Sequence, residues 1–174
     1  MKALILGSAP CVWDDYREAI KLGGYDLHIA INQTGVSFAP VDIWCTMHPE
    51  NMYKWQSMRK ALRLPMPKVI TPNRNTRGHD AVITQTIPCD WKGSSAAYAV
   101  YIALQKKASK IVLCGCPLDD SGNVLQNGGQ QGGYDHFIGS WEAHKNLGRL
   151  TNVRSMSGAT RDICGNPSKA WLGR

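Results

Sequence analysis

The sequence predicts an α/β protein of the Rossmann-like type, a single domain with a mostly parallel sheet and helices on both of its faces. Short apolar segments alternate with helical patterns along the chain, as in sheets built from strand–helix–strand units. The apolar segments are almost uninterrupted, which is typical of parallel strands buried on both faces. The first segment, residues 3–7, ends in the small turn Ser8-Ala9-Pro10 before a helical pattern begins. Such a turn can present backbone N–H groups to a phosphate.

Strands are predicted where apolar residues form short runs that end in turns or polar segments. In chain order these runs cover residues 3–7, 27–31, 42–46, 68–71, 81–87, 110–114 and 152–156, with 81–87 placed at a sheet edge. Helices are predicted from helical spacing and from richness in Ala and Leu. They cover residues 13–22, 50–64, 96–107 and 138–150.

The helix boundaries carry recognisable signals. Asp14 and Asp15 suit the first turn of the first helix, because negative charge is favourable at a helix N-terminus. The pair Gly23-Gly24 ends this helix, and two prolines close the second helix after residue 64. The inner side of the second helix is predicted to hold Tyr53, Met58, Ala61 and Leu62.

The chain is expected to form one domain over residues 1–174, since its length suits a single core. Residues 121–133 contain five glycines. We interpret this segment as a mobile loop and not as a linker, because too little chain follows it to make a second core. No apolar run approaches the roughly 20 residues of a membrane span, so we expect a soluble, cytoplasmic protein.

The composition favours an anionic partner. The formal net charge is +7, which suits a nucleotide, a polyphosphate or a nucleic acid, although many of the basic residues could simply be solvated on helix faces. The six cysteines include no Cys-x-x-Cys pair, so the usual zinc spacing is absent. Reduced core thiols are therefore expected.

Parallel sheets bind ligands at the carboxyl ends of their strands, and this rule selects the polar candidates. The turn Gly7-Ser8-Ala9 allows close backbone approach and offers the Ser8 hydroxyl, or it is an ordinary strand-to-helix turn. The amides of Asn32 and Gln33 could bind a base edge or ribose hydroxyls, or they serve turn formation. Ser94 and Ser95 open a strong helix, where N–H groups could bind an anion or be capped by Ser94 alone.

Histidines are the obvious acid–base candidates. His48 follows a strand, His136 follows the glycine-rich segment, and His144 lies in the helix after it. Loop closure could bring His136 to a substrate. Asp119, with Asp120 beside it, ends a strand and could hold Mg²⁺ together with a nucleotide; no other metal spacing is evident.

The order of these motifs resembles that of the bacterial lipooligosaccharide sialyltransferases. It is also similar to the related proteins typified by the archaeal hydroxymethylpterin diphosphokinase and the flagellin-associated motility accessory factors. The matching segments span most of the chain: residues 4–10, Ala30-Ile31-Asn32-Gln33, Thr46-Met47-His48-Pro49, Gly93-Ser94-Ser95, residues 111–116 and His136-Phe137-Ile138-Gly139.

The resemblance implies a CMP-type nucleotide sugar as donor, no tightly bound cofactor, and a histidine as general base. It implies nucleotide contacts at Gly7, Ser8, Asn32, Gln33, Ser94 and Ser95, and it adds Tyr134 as the candidate to hold the leaving phosphate. This chain departs from the family at Ser140, which stands where the catalytic histidine is expected, so His136 or His144 would have to substitute. His48 replaces an asparagine. The chain is also shorter than the family's enzymes, which suggests a phage or mobile-element protein.

Three hypotheses follow. The first is a nucleotide-sugar-dependent glycosyltransferase. The second is an ATP-dependent diphosphokinase, which would need Mg²⁺. The third is a non-catalytic protein of the same fold that binds a nucleotide or a nucleic acid.

Overall fold

The structure is a computed structural model that describes residues 1–72, 82–88, 91, 94–125 and 135–173, except for the side chains of Asp135 and His136. Within these residues seven strands form one sheet, and every neighbouring pair is parallel. The strands are β1 (Lys2–Leu6), β2 (Leu27–Ile31), β3 (Ile43–Cys45), β4 (Lys68–Thr71), β5 (Val82–Thr84), β6 (Lys110–Cys114) and β7 (Val153–Ser155). The predicted α/β class is confirmed.

Helices cover both faces of the sheet. The described helices are α1 (Val12–Leu22), α2 (Thr34–Ser37), α3 (Met52–Ala61), α4 (Ser95–Gln105), α5 (Asp135–Asn146), α6 (Gly158–Cys164) and α7 (Lys169–Gly173), with a 3₁₀ turn at Pro49–Asn51 before α3. Helices α1, α2, α3 and α7 pack on one face. Helices α4, α5 and α6 pack on the other.

The alternation of side chains along β1 supplies both halves of the core. Ala3 and Ile5 pack with α4, whereas Leu4 and Leu6 pack with α1. All four are fully buried. Burial of each larger side chain contributes roughly 1.5–3 kcal/mol, and this is why the apolar runs of the sequence predict the strands well.

The strand order is β5-β4-β3-β2-β1-β6-β7. The chain adds strands outward from β1 as far as β5 and then returns to place β6 on the opposite side of β1. Leu6 is in register with both Ala30 of β2 and Cys114 of β6, so these three strands end level with one another. We call this side of the sheet the carboxyl edge. The reversal between β1 and β6 is the position at which open α/β sheets bind ligands.

The prediction for the inner side of α3 is wrong. Tyr53, Met58 and Leu62 are 61%, 37% and 53% exposed, and Ala61 is exposed as well. The buried residues are Met52, Trp55, Gln56 and Arg59, which recur at the spacing of one helix face. Hydrophobicity alone selected the wrong side, because two of the four buried residues are polar.

Arg59 is buried because three backbone carbonyls receive its guanidinium. Its Nε donates to the Pro65 carbonyl oxygen, and its Nη1 donates to those of Gly35 and Phe38, each at 2.7 Å. Burial lowers the pKa of Arg59. The side chain thus fixes the end of α2 against the segment that leaves α3.

Other differences are at the boundaries. Helix α3 ends at Ala61, before the predicted residue 64, and no pattern in the sequence predicts the short helices α2, α6 and α7. Most of the glycine-rich segment, residues 126–133, lies outside the described residues, so its mobility stays a prediction. No helix in the described ranges is long and apolar enough to cross a membrane.

Candidate functional site

The centre of the site is the contact between Gly7, which follows β1, and Gly115, which follows β6. The Gly7 N–H donates to the Cys114 carbonyl oxygen at 2.7 Å, and the Ala9 N–H donates to that of Gly115 at 3.1 Å. A Cβ atom on Gly7 would stand 2.1 Å from the Gly115 oxygen. Only glycine therefore fits at this end of β1.

The loop between β1 and α1 offers one free backbone donor. The N–H group of Ser8 has no acceptor among the residues that the structure describes, whereas the Cys11 N–H bonds with the thiol of its own residue. The Ser8 hydroxyl is already engaged, since it donates to the Ile31 carbonyl oxygen at 3.0 Å. We conclude that this loop can bind an anion through its backbone at the first turn of α1.

Asn32, at the end of β2, has a left-handed backbone with φ of 51°. Its side-chain oxygen accepts from the Thr46 hydroxyl at 2.7 Å, and its carbonyl oxygen accepts from the Trp44 indole N–H at 2.6 Å. These bonds orient the carboxamide and leave its NH₂ group without a partner in the described part of the chain. Gln33 beside it is half-buried. The Asn32 amide can thus donate to a ligand's acceptor.

The N-terminus of α4 is joined to the end of β3. The Ser94 hydroxyl oxygen accepts from the Ala97 N–H at 3.2 Å, which makes Ser94 the N-cap. The Ser95 hydroxyl accepts from the Met47 N–H at 3.3 Å. Trp141 of α5 donates its indole N–H to the Ser94 oxygen at 3.4 Å. The end of β3, the start of α4 and the middle of α5 therefore meet at the carboxyl edge.

Two candidates are more peripheral. His48 has a side chain that is 59% exposed, with its Nδ1 3.3 Å from a Glu50 oxygen. Asp119 is exposed, and one of its oxygens accepts from the Ser121 N–H at 3.0 Å. Within the described residues no group of three or more His, Cys, Asp or Glu side chains is arranged to hold a metal ion. Among the described residues of this region, no observation supports the diphosphokinase hypothesis.

The two catalytic candidates lie on α5. His144 is only 2% exposed. Its ring stacks on Trp91 with 4.5 Å between centroids, and Nη1 of Arg149 lies 3.4 Å from its Nδ1. The structure thus places His144 in packed surroundings. His136 stands in the first turn of α5, four residues before Ser140, and its side chain lies outside the described residues, as does Tyr134.

The thiols near the carboxyl edge are not activated. Burial raises the pKa of Cys11, which lies in the β1–α1 loop, and also raises the pKa values of Cys45, Cys114 and Cys116 at or beside strand ends. A thiol is a weak nucleophile while it keeps its proton. Three of these cysteines, Cys45, Cys114 and Cys116, are buried in the core.

Sequence reasoning missed Asp15 and Ser157 as parts of this region. Asp15 Oδ2 accepts from the Gly115 N–H at 2.7 Å and from the Ser157 hydroxyl at 2.6 Å. From the sequence, an acidic residue in the first turn of a helix indicates only a favourable interaction with the helix dipole. Both partners lie far from Asp15 in the sequence, so no local pattern indicates these two hydrogen bonds.

Comparison with known proteins bears on the fold. No protein-family model matches the chain, and no curated protein sequence matches it significantly. A structure of the sialyltransferase CstII from Campylobacter jejuni, in complex with the substrate analogue cytidine-5'-monophosphate, is similar with a TM-score of 0.59 and 11% identity, over 97% of this chain and 86% of that chain. A second CstII structure, in complex with CMP-3FNeuAc, gives a TM-score of 0.55 and 13% identity, over 99% and 97% of the two chains. At 11% and 13% identity, these similarities show that the chain shares the Rossmann-like fold of the sialyltransferase.

Proposed function

We propose that this chain is a glycosyltransferase whose donor is a nucleotide-activated sugar of the CMP type. The observation that carries the proposal is that three groups lie along the carboxyl edge: the Ser8 N–H, which has no acceptor in the described part of the chain, the Asn32 amide, and the N-terminus of α4. The similarity in fold to CstII, whose structures contain cytidine-5'-monophosphate or CMP-3FNeuAc, supports this choice of donor.

The proposed binding mode divides the nucleotide between these groups. The loop at Gly7, Ser8 and Ala9 takes the phosphate, helped by the net charge of +7. Asn32 and Gln33 take the base or the ribose through their amides. The remaining proposed contacts come from the other strand ends and from the segment before α5: His48, Ser94, Ser95, Asp119 and Tyr134.

The proposed chemistry is a substitution at the anomeric carbon. The acceptor hydroxyl forms the new C–O bond, the bond to the donor phosphate breaks, and the nucleotide leaves with that electron pair. A histidine takes the proton of the acceptor hydroxyl. His136 is the first candidate, because α5 is tied to the nucleotide side through the Trp141–Ser94 bond. His144 is the second and would need α5 to shift, since it is buried.

The test begins with ligand binding. Thermal shift and calorimetry with CMP, and with CMP-, UDP- and GDP-sugars, should give the largest stabilisation for the CMP compounds. A ligand at 100 times its dissociation constant adds about 2.7 kcal/mol. Absence of nucleotide binding below millimolar concentration would end the proposal.

Turnover is tested by slow hydrolysis of the bound donor. We expect His136→Ala to abolish hydrolysis of the donor while nucleotide affinity is retained. Hydrolysis by His144→Ala is measured in the same way, at a matched folded fraction. Bound nucleotide without hydrolysis of any donor, in wild type and variants alike, would instead identify a binding protein.

A further inference from the structure

One carboxylate oxygen joins three separate parts of the fold beside the proposed donor site. Asp15 lies on α1 and is 9% exposed. Its Oδ2 accepts from the backbone N–H of Gly115, directly after β6, and from the hydroxyl of Ser157, which follows β7. Burying a carboxylate is costly unless it is hydrogen-bonded, and these two bonds at 2.7 and 2.6 Å compensate that cost.

The position of Gly115 in turn determines that of the β1–α1 loop. The Gly115 carbonyl accepts from the Ala9 N–H, and Gly7 packs so closely on it that no Cβ fits between them. Gly115 itself has a φ of +65° and lies against Val12 of α1. A displacement of Gly115 would therefore move the segment that carries the N–H group of Ser8.

We propose that Asp15 is a positioning residue of the donor site: by holding Gly115 and Ser157 it sets the geometry in which the β1–α1 loop binds the donor phosphate. The inference rests on the proposed function of that loop. Asp15 acts through Gly115 and does not itself touch the donor.

Three variants on α1 separate the effect of the two Asp15 hydrogen bonds from the effect of its negative charge. Asp15→Ala removes both bonds and is expected to weaken CMP binding about 10- to 100-fold, the range that a small misplacement of binding groups can cause. In Asp15→Asn the amide oxygen can occupy the place of Oδ2 and keep both bonds, so the affinity should stay within about threefold of wild type. The matched control is Asp14→Ala, because Asp14 is exposed and its one bond to a described side chain is with Arg17 on its own helix; it should bind CMP as wild type does.

A second control tests whether a loss of stability alone weakens CMP binding. Val69→Ala truncates a buried residue of β4, three strands away from β1. Its CMP affinity, measured at the same folded fraction as Asp15→Ala, should equal that of wild type. Wild-type affinity in Asp15→Ala, or an equal loss in Asp15→Asn and Asp15→Ala, would overturn the inference.

Backbone amide exchange decides the inference without a ligand. Asp15→Ala should accelerate exchange at the N–H groups of Gly7 and Ala9, which Asp15 does not contact, more than Val69→Ala does. Equal exchange in the two variants would overturn the positioning role. If wild type binds no CMP, the proposed function fails, and the exchange comparison still decides whether Asp15 holds the loop.

Discussion

Thr34 donates its hydroxyl proton to the carbonyl oxygen of Gly7 at 2.6 Å. This bond joins the first residue of α2, which comes shortly after the end of β2, to the residue that follows β1. Thr34 is fully buried, so no water can replace its hydroxyl if the bond is lost. The alignment of the ends of β1 and β2 is therefore stabilised by the Thr34 side chain as well as by the backbone hydrogen bonds of the sheet.

Replacing Thr34 by Val keeps the shape and removes the donor. The Gly7 carbonyl would be left unsatisfied in the interior, at a cost of about 1–3 kcal/mol in the free energy of unfolding. Urea denaturation measures the change. The matched control is Thr151→Val, since Thr151 makes a similar bond to Gly148 on an exposed turn. An equal loss in both variants would contradict the role assigned to burial.

Gly7→Ala should destabilise the fold more strongly. The new Cβ would stand 2.1 Å from a backbone oxygen, so β1 and β6 would have to separate, which we expect to cost about 3 kcal/mol or more. Gly139→Ala is the control, because a Cβ at Gly139 meets nothing within 4 Å. In a helix this second change should raise stability by roughly 0.5–1 kcal/mol. A tolerated Gly7→Ala would show that the close contact is not required.

The sheet was predictable from the sequence because each apolar run supplies its own evidence of burial. The end of one run also singled out Asn32, and the start of a strong helix singled out Ser94. The left-handed turn at Asn32 and the N-cap at Ser94 both follow from residue type and local position. Asp15 could not be found in this way, since its partners lie 100 and 142 residues further along the chain. Arg59 was missed for a related reason. Its burial depends on carbonyls from two other segments, and no pattern within α3 reports them.

Arg59→Met tests whether the guanidinium stabilises the end of α2. The change keeps an unbranched apolar stem and leaves three carbonyls without their donor, so we expect a loss of about 3 kcal/mol in urea unfolding. Lys54→Met on the exposed side of the same helix is the control and should stay within about 0.5 kcal/mol of wild type. A neutral Arg59→Met would mean that packing of the stem alone stabilises this region.

Alkaline pH should destabilise the protein through its buried thiols. Burial raises the pKa of Cys164 from 9.0 to about 11. Between these two values the unfolded chain releases the proton while the folded chain keeps it. Stability then falls as pH rises, by up to about 1.4 kcal/mol per pH unit for one thiol. Urea unfolding of wild type and Cys164→Ala from pH 8 to 11 isolates this contribution. Parallel pH profiles for the two proteins would contradict it.

Asn32 allows the backbone and the side chain to be tested separately. Because its φ is 51°, glycine suits the backbone, so Asn32→Gly loses chiefly the carboxamide and its bond with Thr46. If the amide binds the nucleotide, CMP affinity should fall about tenfold, which corresponds to about 1.4 kcal/mol. Asn32→Asp keeps the acceptor for Thr46 but replaces the NH₂ donor by a negative charge, so it should fold normally and bind CMP more weakly than Asn32→Gly. Calorimetry on both variants, with unfolding curves as the folding control, measures these effects. If Asn32→Asp binds CMP as wild type does, the carboxamide holds only the turn, and the base must be bound elsewhere along the carboxyl edge.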